Sequence, residues 1–242
     1  MPYIEKVTKA GKTCIYERTY STYAHPKGER RARKEKPTIE TQEKINNRKQ
    51  AREICIYLNA NFKGGDYHVT LTYEKDKRPT DPDDAKQDRK DFLKRLRRRM
   101  KKEQMDFKYL IVTEIGTRGA LHHHMVLNQI PVEWIRQAWK KGRIDVRPLD
   151  DSGQYSRLAD YLAKNLLKWK KAGGTGRGWT HSKNLYRPET VKRIVTRNRF
   201  RTEPRIKKGF YIDRDTVECG ISEYSGYEFL RYILVKEERS GP

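Results

Sequence analysis

The residues with the clearest chemical potential are a glutamate and two histidines on either side of a predicted turn. Residues 120–128 have the composition of a strand, in which side chains alternate between faces, so His122 and His124 project to one side about 7 Å apart. A turn centred on Arg118 places Glu114 opposite His122, on that same side of the hairpin. Two imidazoles and a carboxylate suit Mn²⁺ or Mg²⁺ with open positions for water and substrate, and zinc accepts the same donors. The three residues therefore predict a metal site.

His123 belongs to the opposite face of the same predicted strand. It shares that face with Leu121 and Met125, which indicates a side that packs in a core. The alternative for its two neighbours is a pair of exposed surface histidines without a ligand. Their position inside an otherwise apolar strand disfavours this alternative, because polar groups in such a place need a partner.

A tyrosine on a later predicted helix is the candidate nucleophile. Residues 155–169 predict an amphipathic helix with a buried stripe of Leu158, Leu162, Leu166 and Trp169. One flank of that stripe holds Tyr161, Lys164, Asn165 and Lys168. A free phenol has a pKa of about 10, so a nucleophilic tyrosine needs help from a cation, either a metal or Lys164. Tyr-x-x-Lys alone is typical of any amphipathic helix. Its position after the histidine strand is what favours a role as nucleophile for the tyrosine.

The segments around these residues alternate between strand and helix. Strands are predicted at 66–73, 107–114, 120–128 and 143–149, and helices at 38–59, 81–102, 131–139 and 155–169. From residue 66 the order is β-α-β-β-α-β followed by a helix, which is the split βαβ, ferredoxin-like or RRM-like arrangement. It predicts an α+β fold whose antiparallel sheet has helices on one face and the active site on the other.

The balance of charge points to a polyanionic partner. The chain of 242 residues has 55 Lys and Arg against 32 Asp and Glu, a formal net charge of +23. Residues 168–208 hold 14 basic and 2 acidic side chains interleaved with aromatic residues, a combination that suits single-stranded nucleic acid. The alternative is a solvated basic tail. The predicted DNA-binding residues are Thr72, Tyr73, Lys168, Lys183, Arg197, Arg199 and Arg201.

Composition also argues against several classes of protein. No run of 18 apolar residues occurs and the N-terminus lacks the apolar segment of a secretory signal, so we expect a cytoplasmic protein, in a bacterium or the interior of a host cell, with no membrane partner. Cys14, Cys55 and Cys219 are odd in number and far apart, which supports neither a disulfide framework nor a zinc finger. The glycines of residues 173–180 place Trp179 where a phosphate-binding loop needs lysine, so no ATP site is predicted.

Three motifs in a fixed order give the chain a family resemblance over residues 66–170. Residues 69–73 read Val-Thr-Leu-Thr-Tyr, residues 122–124 fit His-hydrophobic-His apart from the middle histidine, and residues 161–164 fit Tyr-x-x-Lys. Together they resemble the HUH endonucleases, specifically the rolling-circle replication initiators of phages, plasmids and single-stranded DNA viruses. Glu114 stands where viral members of that family place a ligand carboxylate.

The resemblance implies a five-stranded sheet with the metal on its open face, Tyr161 as nucleophile and Lys164 as its partner. The tyrosine follows the histidine pair, as in replication initiators, whereas in plasmid relaxases it precedes the pair. One tyrosine fits the motif, so the chain is similar to single-tyrosine members, with Tyr155 as the reserve candidate. The resemblance also implies a separately encoded helicase as a partner.

From the composition of the chain and this resemblance together we expect three regions and one activity. The regions are a basic N-terminal arm and helix at 1–60, irregular up to residue 35, an HUH endonuclease domain at 61–170, and a basic C-terminal extension with β-structure at 171–242. The expected activity is sequence-specific nicking and joining of single-stranded DNA or an origin hairpin, dependent on Mn²⁺ or Mg²⁺, in rolling-circle replication. The alternatives are an RRM-like binding protein with Tyr67, Tyr73 and the histidines as stacking platforms, a metal-dependent hydrolase in which water attacks, and a relaxase or transposase of the same superfamily.

Overall fold

The structure is a computed structural model that describes residues 3–20, 39–116, 119–171, 174, 178–196, 200–222 and 226–237. The chain divides into two compact units, one formed by Asn47–Tyr186 and the other by Met1–Asn46 with Arg187–Pro242. Among the described residues, no helix is both long enough and apolar enough to cross a lipid bilayer.

The described residues form ten strands and four α-helices. The strands are β1 (Tyr3–Ala10), β2 (Thr13–Tyr20), β3 (Tyr67–Thr72), β4 (Tyr109–Ile115), β5 (Leu121–Leu127), β6 (Ile144–Pro148), β7 (Trp179–His181), β8 (Thr190–Val195), β9 (Phe210–Ile221) and β10 (Glu228–Lys236). The helices are α1 (Ile39–Asn61), α2 (Pro82–Lys102), α3 (Val132–Ala138) and α4 (Ser156–Lys171).

The unit of residues 47–186 is built on a five-stranded antiparallel sheet in the order β6-β3-β5-β4-β7. Its elements follow one another as β3-α2-β4-β5-α3-β6-α4. This is the predicted β-α-β-β-α-β order with a following helix, so the α+β, ferredoxin-like fold class is confirmed. The number of strands in this sheet is also the one that the family resemblance implied.

Helix α2 begins where its sequence predicts. The side chain of Asp81 accepts hydrogen bonds of 2.8 Å from the backbone N–H groups of Asp83 and Asp84, which would otherwise lack partners. Pro82 occupies the first helical position, where its missing N–H costs nothing. The four apolar residues that recur at helical spacing are buried, namely Phe92, Leu93, Leu96 and Met100.

The alternation of side chains along the strands separates a core face from a site face. Helices α2 and α3 cover the core face, where the buried cluster includes Val69, Leu71, Phe92, Leu96, Met125 and Ile135. The residues between those of the core on β3 and β5 face the other side of the sheet, and there Thr70 pairs with His124. Helix α4 hydrogen-bonds to side chains of β4 and β5 on this second side, so it lies above the site face.

The other unit contains a second five-stranded antiparallel sheet, in the order β8-β1-β2-β10-β9. The expectation of an irregular arm up to residue 35 is therefore wrong for residues 3–20, which form the β1–β2 hairpin, while residues 21–38 lie outside the described residues. The charge of this segment was misleading, because Glu5 and Arg18 are both buried and pair at 2.8 Å. A buried ion pair gives a strand the polar composition of a solvated segment.

The pairing of strands also differs from the expected division into an N-terminal and a C-terminal region. Strand β1 pairs with β8, and β2 pairs with β10, so both ends of the chain contribute to one sheet. The site-bearing unit is correspondingly longer than the predicted domain of residues 61–170, since it extends from Asn47 to Tyr186. Contacts between strands so distant in sequence leave no local pattern from which to predict them.

Candidate active site

The β4–β5 hairpin brings Glu114, His122 and His124 together. Glu114 lies directly opposite His122 in the ladder, which is the predicted register. Its Oε2 atom lies 3.0 Å from Nε2 of His122 and 2.7 Å from Nε2 of His124. One ligand atom from each of the three residues lies within 4.8 Å of the others, so the group could hold a metal ion.

Hydrogen bonds on the far side of each imidazole orient the two histidines. Nδ1 of His122 lies 3.3 Å from the carbonyl oxygen of Ala120, which can only accept, so the tautomer that donates there presents the Nε2 lone pair to a metal ion. Nδ1 of His124 lies 3.3 Å from the hydroxyl of Thr70, which can accept a hydrogen bond in the same way. A partner of this kind behind the ring is typical of metal-ligating histidines. The donors and their partners therefore fit a divalent metal ion.

The carboxylate of Glu114 is buried, with 6% of the residue exposed. Burial by itself raises the pKa of this group, but the hydrogen bonds and charges of His122 and His124 outweigh burial and lower the pKa below its ordinary value. Glu114 therefore carries its negative charge at neutral pH, as a metal ligand must.

The phenol of Tyr161 projects from α4 onto the same cluster. Its oxygen donates a hydrogen bond to Oε2 of Glu114 at 3.3 Å and lies 3.1 Å from Nε2 of His124. The residue is nevertheless 44% exposed, so a ligand in solvent can reach it. Partial burial, followed by the charge and hydrogen bond of Glu114, raises the pKa of Tyr161, while Asn165 acts in the opposite direction. The phenol is therefore protonated at neutral pH unless positive charge is added nearby.

The structure distinguishes the two lysines of the α4 flank. The ammonium of Lys168 lies 3.4 Å from Oε1 of Glu114, the oxygen that does not face the imidazoles. Lys164 is exposed and makes no hydrogen bond or ion pair with any described residue. Tyr161 and Lys168 are seven residues apart, two turns along one side of the helix. The lysine that reaches the cluster is thus the one predicted to bind DNA, and the lysine of the Tyr-x-x-Lys motif does not.

His123 anchors the hairpin from the core face of the sheet, as its alternation with His122 and His124 predicted. It is fully buried, with Nε2 2.9 Å from the Tyr73 hydroxyl and Nδ1 3.0 Å from the Thr113 hydroxyl. The guanidinium of Arg89 donates to Thr113 in turn, at 2.9 Å. Burial lowers the pKa of His123 well below its ordinary value, so this imidazole is neutral and serves as a structural partner.

The structure contradicts the DNA-binding role predicted for Tyr73. Residue 73 follows Val69 and Leu71 in the alternation of β3, so its ring packs into the core cluster and is 8% exposed. Tyr67 packs against the same cluster. Neither ring is available as a stacking platform on the site face, so only the histidines of the RRM-like alternative remain there.

The other predicted site residues occupy different places. Thr72 lies on the site face opposite His122, and its hydroxyl donates to the carbonyl of Arg143 at 3.1 Å. Lys183 and Arg201 are exposed, while Arg197 and Arg199 lie outside the described residues. The reserve nucleophile Tyr155 is 3% exposed, and its hydroxyl donates to the carbonyl of Asp150 at 3.0 Å. Burial raises the pKa of Tyr155 to about 12, so it is poorly placed to attack a substrate.

Two residues near the site were not singled out by the sequence. His68 lies two positions before Thr70 on the site face, and its ring centroid is 5.5 Å from that of His124. The alternation of β3 could have assigned this face, but not the neighbour across the sheet. Asn165 was noticed only as part of the α4 flank, yet it is 2% exposed and its Nδ2 has no partner of good hydrogen-bond geometry among the described residues. Its contact with Tyr161 is therefore weak in this conformation.

The pKa of His68 predicts how the stability of the metal-free protein depends on pH. Burial, followed by the charges of His124 and Arg147, lowers the pKa of His68 from 6.5 to about 4. Between these values the unfolded chain binds a proton that the folded protein does not, so the free energy of unfolding falls as the pH drops. The comparison uses urea titrations with a chelator present. As the pH falls from 7 to 5, we expect the free energy of unfolding of a His68→Gln variant to rise relative to that of wild type by up to about 2 kcal/mol. A constant difference between the two proteins over that range would contradict this expectation.

The fold and the cluster define a class of protein: an α+β domain with a Glu-His-His group that could hold a metal and an accessible phenol above it. Residues 66–166 match a family model described as replication-associated protein ORF2/G2P. The matched segment runs from the residue before β3 into α4 and includes Glu114, His122, His124 and Tyr161. The chain has no significant match among curated proteins or solved structures. This part of the chain is thus similar to replication-associated proteins, which supports the resemblance to rolling-circle initiators.

Proposed function

We propose that the protein nicks and rejoins single-stranded DNA at a specific sequence, through a covalent tyrosine intermediate, to initiate and terminate rolling-circle replication. The observation that carries this proposal is the position of the Tyr161 oxygen, 3.1 Å from Nε2 of His124 and 3.3 Å from Oε2 of Glu114 on a side chain that is 44% exposed. A DNA strand lying on the site face can therefore meet the phenol and the metal-ligand group at once. The similarity to replication-associated proteins supports replication as the process.

In the proposed reaction the Tyr161 oxygen forms a bond to the scissile phosphorus, and the bond between phosphorus and the 3′ oxygen breaks. The phenol gives up its proton and the leaving oxygen takes one up, so the products are a free 3′-hydroxyl and a 5′-phosphotyrosine. A divalent ion held by Glu114, His122 and His124 would supply positive charge that polarises the phosphate and lowers the pKa of the phenol. Lys168 adds a further positive charge beside Glu114, at 3.4 Å.

The same residues can run the reaction backwards. One phosphodiester bond is exchanged for another, so its free energy is kept in the bond to Tyr161. A 3′-hydroxyl that enters the site can attack that phosphorus and release the tyrosine, which reseals DNA without ATP. One site thus accounts for both nicking at the start and joining at the end of a round of replication. Separation of the strands is assigned to a separately encoded helicase.

Two rival functions predict different products from the same mixture. A metal-dependent hydrolase would cut DNA without a protein-linked intermediate, since water would be the nucleophile. An RRM-like binding protein would bind without metal and cut nothing. The direct test is to mix the protein with Mn²⁺ and a library of single-stranded oligonucleotides with a randomised segment, and to look for adducts that survive denaturation in detergent. Sequencing the DNA that stays attached gives the sequence on the 3′ side of the cut.

The two lysines of α4 offer a matched pair of variants for the site. Lys168→Met removes the ammonium that holds Oε1 of Glu114, whereas Lys164→Met removes an exposed charge on the same helix. Because hydrogen-bonding partners of metal ligands account for about 10- to 100-fold in metal affinity or activity, we expect Lys168→Met to slow adduct formation by that factor. Lys164→Met should slow it by less than about threefold. The measurement is the initial rate of adduct formation at limiting Mn²⁺, and a larger reduction in Lys164→Met would reverse the assignment.

A further inference from the structure

The solvent-facing side of α2 carries a row of cations with no partner among the described residues. Four arginines of this helix have structural contacts: Arg89 with Thr113, Arg95 with the Ala138 carbonyl, Arg97 with the Tyr109 hydroxyl, and Arg99 with Glu103 and the ring of Trp134. Five other cations are exposed and make no side-chain hydrogen bond or ion pair with any described residue, and we call them the α2 row: Lys90, Lys94, Arg98, Lys101 and Lys102. The site of Tyr161 lies on the opposite face of the sheet and uses none of them.

The spacing of the α2 row places its members on one side of the helix. At about 100° per residue, the five side chains fall within an arc of about 120°, directed away from the buried face that holds Phe92 and Leu96. Three pairs in the row stand four residues apart, and like charges at that spacing destabilise a helix. An external polyanion bound along the row would offset this repulsion between like charges.

We propose that the α2 row binds the phosphate backbone of duplex DNA while the opposite face of the sheet holds the single strand. From Lys90 to Lys102 the helix rises about 18 Å, and that length of duplex presents about five phosphates on each strand. No aromatic side chain lies within the row, so it lacks the stacking surfaces with which proteins hold single strands. The apolar side of α2 is buried in the core, so the helix has no face with which to enter a membrane.

The inference rests on the proposed function only in making DNA the polyanion, and the two are tested by different measurements. The test variant carries Lys90→Gln, Lys94→Gln, Arg98→Gln and Lys101→Gln. A control variant replaces four other exposed cations of the same unit, with Lys63→Gln, Lys75→Gln, Arg78→Gln and Lys140→Gln. The probe is a short blunt-ended duplex of unrelated sequence, whose binding is followed by fluorescence anisotropy over a range of salt concentrations. Adduct formation on a single-stranded oligonucleotide is measured in parallel.

We expect the test variant to flatten the slope of log K against log salt by about 3 to 4, since each phosphate that the protein no longer neutralises lowers the slope by about 0.9. The control variant should keep the wild-type slope, and all three proteins should form the single-strand adduct at the same rate. A fourth protein, with each lysine of the α2 row changed to arginine, should also keep the slope, which separates removal of charge from damage to the fold. Equal slopes in test and control variants would overturn the inference, as would a flattened slope in the arginine variant. Failure of every protein to form the adduct would count against the proposed function and leave the slope comparison valid.

Discussion

Replacing Tyr161 with phenylalanine is expected to abolish the covalent protein–DNA adduct, with a reduction of at least about 10³-fold in its rate of formation. The substitution removes one oxygen, the atom that lies 3.1 Å from His124 and 3.3 Å from Glu114. The ring itself is kept and 44% of the residue is exposed, so the fold should be unaffected. Metal binding should persist as well, because the three predicted ligands remain. The measurement is the yield of detergent-resistant adduct with Mn²⁺ and single-stranded oligonucleotides.

Tyr155 provides the matched control for this experiment, since it lies six residues earlier in the chain. Its hydroxyl is buried and bound to the carbonyl of Asp150, so Tyr155→Phe should keep the adduct while costing some stability. Adduct formation by Tyr161→Phe would show that another group is the nucleophile. If wild type cuts DNA and leaves no protein attached to it, the hydrolase alternative is correct.

The second large effect is expected from Glu114→Gln. The substitution keeps the shape of the side chain but removes the negative charge that Nε2 of His122 and His124 approach at 3.0 and 2.7 Å. We expect the affinity for Mn²⁺ to fall by more than about 100-fold, since partners outside the ligand set already account for about 10- to 100-fold. Adduct formation at limiting metal should fall in proportion. Titration of Mn²⁺ followed by electron paramagnetic resonance measures the first effect, and addition of a chelator to wild type should reproduce the second.

A carboxylate elsewhere in the same sheet offers the control for charge. Asp145 of β6 pairs with Thr70 in the ladder, and its carboxylate binds Arg147 at 2.9 Å rather than the cluster. Asp145→Asn removes the same charge from the same sheet, so it should leave the affinity for Mn²⁺ within about twofold of wild type. If Glu114→Gln binds Mn²⁺ as tightly as Asp145→Asn does, Glu114 is not a ligand.

Local patterns predicted most of the site-bearing unit, because its elements are regular and their partners are close in sequence. A strand period of two assigned His122 and His124 to one face and His123 to the other. The distance from Glu114 to His122 along the chain was short enough for a hairpin to fix their register. Helical spacing on α2 and α4 identified the residues that are buried there. Each of these inferences needed only neighbours within about a dozen residues.

The remainder depended on contacts that no local pattern contains. Whether Lys164 or Lys168 meets Glu114 is decided by how α4 crosses the sheet, and both lysines fit the same flank of the helix. Tyr73 was predicted to bind DNA because it is the last residue of the Val-Thr-Leu-Thr-Tyr motif. The strand alternation that predicted the burial of His123 also predicts the burial of Tyr73. The ion pair between Glu5 and Arg18 gave β1 and β2 the composition of a solvated arm. The pairing of β1 with β8 joins segments more than 180 residues apart, as the bond between Thr8 and Thr190 illustrates.

The alternation across His122, His123 and His124 limits how this part of the gene can change in length. His122 and His124 face the site, whereas His123 is hydrogen-bonded on the core face of the sheet. Both roles therefore depend on which face of the sheet each position of the tripeptide occupies. Inserting or deleting one codon within β5 next to the tripeptide, if the pairing slipped to absorb it, would exchange the two faces and leave a lone imidazole opposite Glu114. Changes confined to the connecting turn avoid this exchange, because the pairing of Glu114 with His122 can be kept while the turn alone adjusts. Tolerance of insertions should therefore rise sharply from the strand to the residues between Gly116 and Gly119.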